Sequence, residues 1–166
     1  MTDAPATEPT GGEQPAARTV EEALAVLDRQ WSRFRTLAFG YPAERMDEPL
    51  EKGWTRKQML AHIAAWHESA TERLARFLRT GRPEPLTTTV DARNAQVARV
   101  AIGRTSGEIL HSLDATYGRL RRSVGQLTDE QLQASDGWAA ELIADNCYRH
   151  YAEHAPALAP PAAEQA

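Results

Sequence analysis

The sequence predicts an all-α protein, a four-helix bundle formed by one domain. Three observations support this prediction. Apolar side chains recur every three or four residues in four segments, a helix-capping pattern precedes most of them, and no segment alternates polar and apolar residues as a strand does. The chain has 166 residues, enough to bury a hydrophobic core. We expect the bundle to span residues 19–158.

The first two helices each follow a Thr that has Glu or Gln three residues later. These segments are "TVEE" at Thr19 and "TRKQ" at Thr55, and in such a capping box both side chains satisfy free N–H groups at the helix start. The pattern predicts helices over 20–38 and 56–79, the second closed by Gly81. Their apolar faces carry Val20, Leu24, Leu27, Trp31, Phe34 and Leu37, then Met59, Ile63, Trp66, Ala70, Leu74 and Phe77.

The third and fourth helices are predicted from the same signals. "TSGE" at Thr105 precedes a helix over 106–126, and "TDEQ" indicates a single turn at 128–133. The fourth helix is predicted over 138–155, because Pro156 disfavours the α conformation of the residue before it. The inward positions of these two helices are Ile109, Leu113, Tyr117, Leu120 and Val124, then Ile143, Cys147, His150 and His154.

Two histidines stand one turn apart near the end of the fourth helix. An α-helix turns about 100° per residue, so His150 and His154 point within about 40° of each other, towards the bundle interior. Histidines at this spacing can present ring nitrogens to one cation. The alternative is that both are core histidines, hydrogen-bonded to backbone or water. On the second helix, His62 lies at the margin of the apolar face and His67 lies within it.

The predicted topology decides whether a third histidine can join this pair. His62 lies near the start of the second helix and the pair near the end of the fourth, so they meet only if these helices are antiparallel. About 25 residues connect the second and third helices, far more than a simple turn needs, and a short extra helix at 91–101 fits within them. This length favours an up-down-down-up bundle with a long crossover, and it makes His62, His150 and His154 a candidate metal site.

Several segments resemble one known family. "GWTRKQMLAHIAAWHES" resembles the second-helix signature of the DinB-like superfamily. "NCYRHYAEHAPAL" and "VDARNAQVA" are similar to segments of its ClbS/DfsB-type branch. The resemblance covers about residues 20–158 and implies an up-down-down-up bundle. It also implies a zinc or nickel site in which His62 supplies one ligand and His150 and His154 supply two, with His67 as an alternative to His62.

The resemblance implies two different functions. Related members include transferases and isomerases that use mycothiol or bacillithiol, among them the N-terminal domain of maleylpyruvate isomerase. Such members imply a metal-dependent transferase or hydrolase with a low-molecular-weight thiol as cosubstrate. ClbS-type members instead resemble metal-free self-resistance proteins that act on thiol-reactive natural products. The sequence leaves open whether this chain is an enzyme or a small-molecule binding protein.

Further side chains are candidates for lining a pocket beside the histidines. Trp66, His67 and Asn146 are such candidates, although buried aromatic residues more often belong to the core. Cys147 is interpreted as a small core residue, because a reactive thiol needs exposure and a lowered pKa.

Composition limits the classes of partner. The net charge of −4 provides no basic surface for nucleic acid, and no apolar run approaches the roughly 20 residues of a membrane span. One cysteine excludes an intrachain disulfide, and we expect a cytoplasmic protein that acts on a small molecule. The resemblance and the aromatic content of the first two helices favour a homodimer. Residues 1–18 and 159–166 are predicted to be flexible tails, since they contain few large apolar side chains.

Overall fold

The structure, a computed structural model, describes residues 14–51 and 53–160. Within these ranges all regular elements are helical and no β-strand forms, which confirms the all-α prediction. Two short 3-10 turns, Ala43–Arg45 and Ala155–Leu158, accompany the α-helices. The α-helices are α1 (Val20–Gly40), α2 (Arg56–Thr80), α3 (Val90–Ile102), α4 (Ser106–Gly125), α5 (Asp129–Asn146) and α6 (Tyr148–His154).

Threonine caps set the helix starts, as the sequence predicts. The hydroxyls of Thr19, Thr55, Thr105 and Thr128 each accept a hydrogen bond from the backbone N–H three residues later. The last three of these threonines form complete capping boxes. Thr89 caps α3 in the same way. The ends of α1, α2 and α4 therefore lie within two residues of the predicted bounds.

Helix α3 occupies the long connection between α2 and α4, so the predicted short extra helix is confirmed. The Gln58 amide donates to the carbonyl of Ala98 at 3.0 Å, and Arg93 donates to the carbonyl of Ala65 at 3.0 Å. These contacts run in opposite order along the two helices, so α3 lies antiparallel to α2. This arrangement brings Asn94 of α3 beside the first half of α2.

The predicted fourth helix, 138–155, is not continuous, and this part of the prediction is wrong. Residues 134–137 leave the helical conformation, and Cys147 separates α5 from α6 with φ −127° and ψ −95°. The spacing of apolar residues indicates which side chains face the core. The same spacing is kept on both sides of a break that involves one residue, Cys147. For that reason the spacing of apolar residues could not reveal the break at Cys147.

The core lies between α1, α2, α4 and the α5–α6 pair. Phe77 packs against Trp138 near one end of α2, and His62 packs against His150 near the other. The end of α2 thus packs against the start of α5–α6, and the first half of α2 packs against the end of α5–α6, so the two are antiparallel. The largest fully buried side chains include Leu27, Phe34, Met59, Leu74, Leu113, Leu120, Tyr148 and Tyr151. Among the described helices, none combines the length and the apolar composition that a membrane span needs.

The two predicted tails are described only in part, since residues 1–13 and 161–166 lie outside the described ranges. The end of the predicted N-terminal tail contacts the bundle. The Gln14 carbonyl accepts from Arg149 at 2.9 Å, the Pro15 carbonyl accepts from the Tyr148 hydroxyl at 3.2 Å, and Ala17 is buried. The prediction of a flexible tail was based on the small number of large apolar side chains. Amino-acid composition cannot show that the backbone carbonyls of this segment accept hydrogen bonds.

The break within α5 depends on left-handed backbone at Ser135, Asp136 and Gly137, with φ of 54°, 56° and 75°. We expect Gly137→Ala to lower the free energy of unfolding by about 1 kcal/mol, because a Cβ disfavours this conformation. The added Cβ would meet only the Gln133 side chain, at 3.8 Å, so the loss would come from the backbone. Urea unfolding measures it.

Gly125→Ala is the matched control for this experiment. Gly125 ends α4 without a positive φ, and a Cβ there would meet nothing within 4 Å. This substitution should leave stability unchanged or raise it slightly. Equal losses in the two variants would contradict the explanation from backbone conformation.

Candidate metal centre

Three histidines from α2 and α6 converge in the structure: His62, His150 and His154. Their candidate ligand nitrogens all lie within 4.8 Å of one another. Nε2 of His62 lies 2.7 Å from Nε2 of His150, and the ring centroids of His62 and His154 are 5.3 Å apart. The structure therefore brings together the three residues that the sequence singled out.

The local structure of α6 explains why two of these rings face α2. The helix has seven residues, so His150 and His154 occupy successive turns of one side. Tyr148 and Tyr151 are buried in the core, which fixes the rotation of the helix about its axis. The break at Cys147 allows α6 to take this rotation independently of α5.

Burial keeps His62 and His150 uncharged near neutral pH. His62 and His150 are buried, and His154 is half-buried. Burial, together with the neighbouring His154, lowers the pKa of His62 to about 4. Burial, together with the adjacent histidines, lowers the pKa of His150 to about 2. A neutral imidazole has the free lone pair that metal coordination needs.

The ring nitrogens that face away from the cluster have different surroundings. Nδ1 of His62 lies 3.0 Å from Oδ1 of Asn94, which also accepts from Nε1 of Trp66 at 3.0 Å. Nδ1 of His150 is buried and has no hydrogen-bond partner. The backbone carbonyl of Asn146 interacts with His150 and tends to raise its pKa, but this contact falls short of hydrogen-bond geometry.

This donor set fits a divalent cation. A buried polar atom without a partner costs free energy, and Nδ1 of His150 is such an atom. A cation at Nε2 would keep the ring proton on Nδ1, on the side of the Asn146 carbonyl. Tetrahedral zinc holds its ligand atoms about 3.3 Å apart, which lies between the shortest contact of 2.7 Å and the 4.8 Å limit of the cluster. Small rotations of the rings would therefore accommodate the ion.

All three histidines line a cavity of about 1000 Å³. Its other walls are mainly apolar or aromatic, and three carboxylate residues with exposed side chains also line it, namely Glu51, Asp145 and Glu153. A cavity of this size admits a small organic molecule up to the histidine nitrogens. The apolar and aromatic wall consists of Leu50, Trp54, Met59, Trp66, Leu86, Val90, Pro156 and Ala157.

The other predicted pocket residues divide into two groups. Trp66 and Asn146 line the cavity, whereas His67 does not. His67 is fully buried; its Nδ1 lies 3.0 Å from the Thr116 hydroxyl and its Nε2 lies 2.6 Å from the Tyr151 hydroxyl. Both of its ring nitrogens are occupied within the core, so the geometry favours His62 as the α2 residue of the cluster.

Cys147 lies in the core, as the sequence interpretation expects. Its side chain is fully buried, and burial raises the pKa of its thiol well above the usual value. A thiol with these properties is a poor nucleophile near neutral pH.

Sequence reasoning missed Asn94 as a residue of the site. It lies in "VDARNAQVA", 32 positions from His62, and no spacing within one helix relates the two residues. The one available signal was the length of the α2–α4 connection. This length indicated that the segment crosses the bundle, but it could not show which of its side chains contacts a histidine.

The buried histidines should make the protein sensitive to acid. Their folded-state pKa values, about 4 for His62, 3 for His67 and 2 for His150, lie below the unfolded value of 6.5. Below pH 6.5 the unfolded chain binds protons that the folded chain does not. Each histidine should then lower the free energy of unfolding by about 1.4 kcal/mol per pH unit, until the pH reaches its folded pKa.

Urea unfolding between pH 7.5 and 5, with a chelator present, measures this dependence. Most carboxylates keep their charge over this range, so the histidines dominate the slope. Equal stability at pH 7.5 and pH 5 would contradict the burial of neutral imidazoles.

One protein family matches most of the chain. The chain shows no significant similarity to the curated proteins or to the solved structures with which it was compared. The sequence pattern that defines the DinB superfamily matches residues 26–155, which is well over half of the chain and includes all three histidines of the cluster. The chain therefore belongs to the DinB superfamily.

Proposed function

We propose that this protein is a metal-dependent enzyme of the thiol transferase or hydrolase kind that acts on a small reactive molecule. His62, His150 and His154 would hold one divalent cation, zinc or nickel. The observation that carries the proposal is the convergence of three histidine ring nitrogens, all within 4.8 Å of one another, on the wall of a cavity of about 1000 Å³.

The chemistry follows from the position of the cluster. A divalent cation supplies a Lewis acid that lowers the pKa of water or a thiol and so provides a nucleophile near neutral pH. The chain itself supplies three imidazoles, and burial keeps two of them, His62 and His150, neutral by lowering their pKa values. Trp54 and Trp66 contribute aromatic surface that binds an apolar substrate and excludes water from the histidines.

A thiol in this reaction would have to come from a second molecule. Cys147 is the single cysteine of the sequence, and it is fully buried with a raised thiol pKa. It does not line the cavity. The cavity is large enough for a low-molecular-weight thiol as cosubstrate beside a small electrophile.

A metal-free binding or self-resistance protein, similar to the ClbS type, is the second candidate. One specific observation favours it: Nε2 of His62 and Nε2 of His150 are 2.7 Å apart, so the two rings can hydrogen-bond each other without an ion. Chelation separates the candidates. A metal-dependent enzyme loses activity in a chelator, whereas a metal-free protein still binds its small molecule.

We further propose that the helices form an up-down-down-up bundle and that the chain is a cytoplasmic homodimer. The antiparallel contacts between α2 and α5–α6 support the topology. The exposed apolar side chains of Val100 and Ile102 on α3 are compatible with a face that a second copy covers.

Zinc titration of protein purified without a histidine tag tests the proposed site. We expect about one ion per chain by calorimetry and elemental analysis. His150→Ala should weaken binding at least 100-fold, because it removes a ligand and leaves two imidazoles for the ion. His111→Ala is the matched control, since His111 is exposed on α4 and does not line the cavity.

The wild type and His111→Ala should bind zinc equally. No bound zinc or nickel at micromolar concentration would contradict the proposal, as would unchanged affinity in His150→Ala.

A further inference from the structure

We propose that Asn94 is a positioning residue that fixes the tautomer of His62, placing the proton on Nδ1 and the lone pair on Nε2. The inference deepens the proposed function, because it states how one ligand is prepared for the cation. Its basis is a pair of polar contacts between α2 and α3, in which Trp66 and His62 both meet the side-chain oxygen of Asn94.

The arrangement begins with Trp66, whose indole N–H can only donate. Nε1 of Trp66 lies 3.0 Å from the Asn94 side-chain atom that faces it. If the amide were flipped, its NH₂ group would meet the indole N–H, and two donors would face each other. The facing atom is therefore the carbonyl oxygen, Oδ1, and Trp66 sets the orientation of the Asn94 amide.

The same oxygen then determines the proton position on His62. Oδ1 of Asn94 lies 3.0 Å from Nδ1 of His62, and the oxygen can only accept. If Nδ1 carried a lone pair, two acceptors would face each other. Nδ1 therefore donates to Asn94. The indole N–H of Trp66 is also within donor geometry of Nδ1, at 3.2 Å, and this contact competes with its shorter one of 3.0 Å to Asn94.

The assignment has a consequence for His150. A neutral His62 with its proton on Nδ1 has a lone pair on Nε2, 2.7 Å from Nε2 of His150. Without an ion, His150 must donate across this contact, so its own Nδ1 has no proton.

Asn94 is held in place by contacts that do not involve the histidines. Arg93 donates to the Ala65 carbonyl and Gln58 donates to the Ala98 carbonyl, one on each side of Asn94 along α3. These contacts anchor α3 to α2. The helix in the long connection thus supplies a rigid acceptor, which matches the role of residues that orient metal-binding histidines.

The test uses Asn94→Leu, which removes the acceptor while filling similar space, and Asn94→Asp, which keeps an oxygen for both Trp66 and His62. Gln96→Leu is the matched control, because Gln96 is an exposed amide on the same helix. Circular dichroism and thermal unfolding first establish that each variant folds.

The first readout is the tautomer of His62 in metal-free protein, from long-range ¹H–¹⁵N NMR at pH 7.5 with a chelator. We expect the proton on Nδ1 in the wild type, Asn94→Asp and Gln96→Leu, and a mixture or the other tautomer in Asn94→Leu. A wild-type proton on Nε2, or an unchanged tautomer in Asn94→Leu, would overturn the inference.

The second readout is the dissociation constant for zinc. Asn94→Leu should weaken zinc binding about 10- to 100-fold, whereas Asn94→Asp and Gln96→Leu should bind as the wild type does. Equal zinc affinity in folded Asn94→Leu would overturn the positioning role. If the wild type binds no zinc, the proposed function fails, and the NMR result still decides the tautomer assignment.

Discussion

The contact between His62 and His150 is the interaction on which the rest of the site depends. Two neutral imidazoles meet at 2.7 Å between α2 and α6, in a place where burial strongly disfavours their charged forms. Burying such polar groups costs free energy unless they find partners. The fold provides partners by bringing the two helices together and by turning α6 at Cys147. The cluster is therefore a product of tertiary packing as much as of sequence spacing.

A second polar contact, deeper in the core, supports the first. His67 of α2 meets the hydroxyl of Tyr151, which follows His150 in the chain. The Thr116 hydroxyl donates to the Leu113 carbonyl, so it accepts from Nδ1 of His67, and Nε2 of that ring accepts from Tyr151. Stacking of Phe34 on the Tyr151 ring, with centroids 5.2 Å apart, adds apolar packing. These contacts fix the position of α6, so that the other side of the helix can present its histidines to the cavity.

The sequence predicted those features that depend on local chemistry. Threonine capping boxes identified the helix starts, because the side chains and the N–H groups they satisfy lie three residues apart. The i, i+4 pair and the length of the α2–α4 connection identified the histidines that meet. Three features lay beyond sequence reasoning: the break at Cys147, the contact of Asn94 with His62, and the docking of residues 14–18. Each depends on backbone conformation or on a contact between distant segments, which neither periodicity nor composition encodes.

X-ray absorption spectroscopy of zinc-loaded protein tests whether α2 and α6 share one metal site, because it counts the imidazoles around the ion. We expect three imidazole nitrogens at about 2.0–2.1 Å in the wild type. We expect two in His62→Ala, the variant that lacks the α2 ligand. A wild-type spectrum with fewer than three imidazoles would contradict a site shared by all three histidines. An unchanged imidazole count in His62→Ala would contradict it as well.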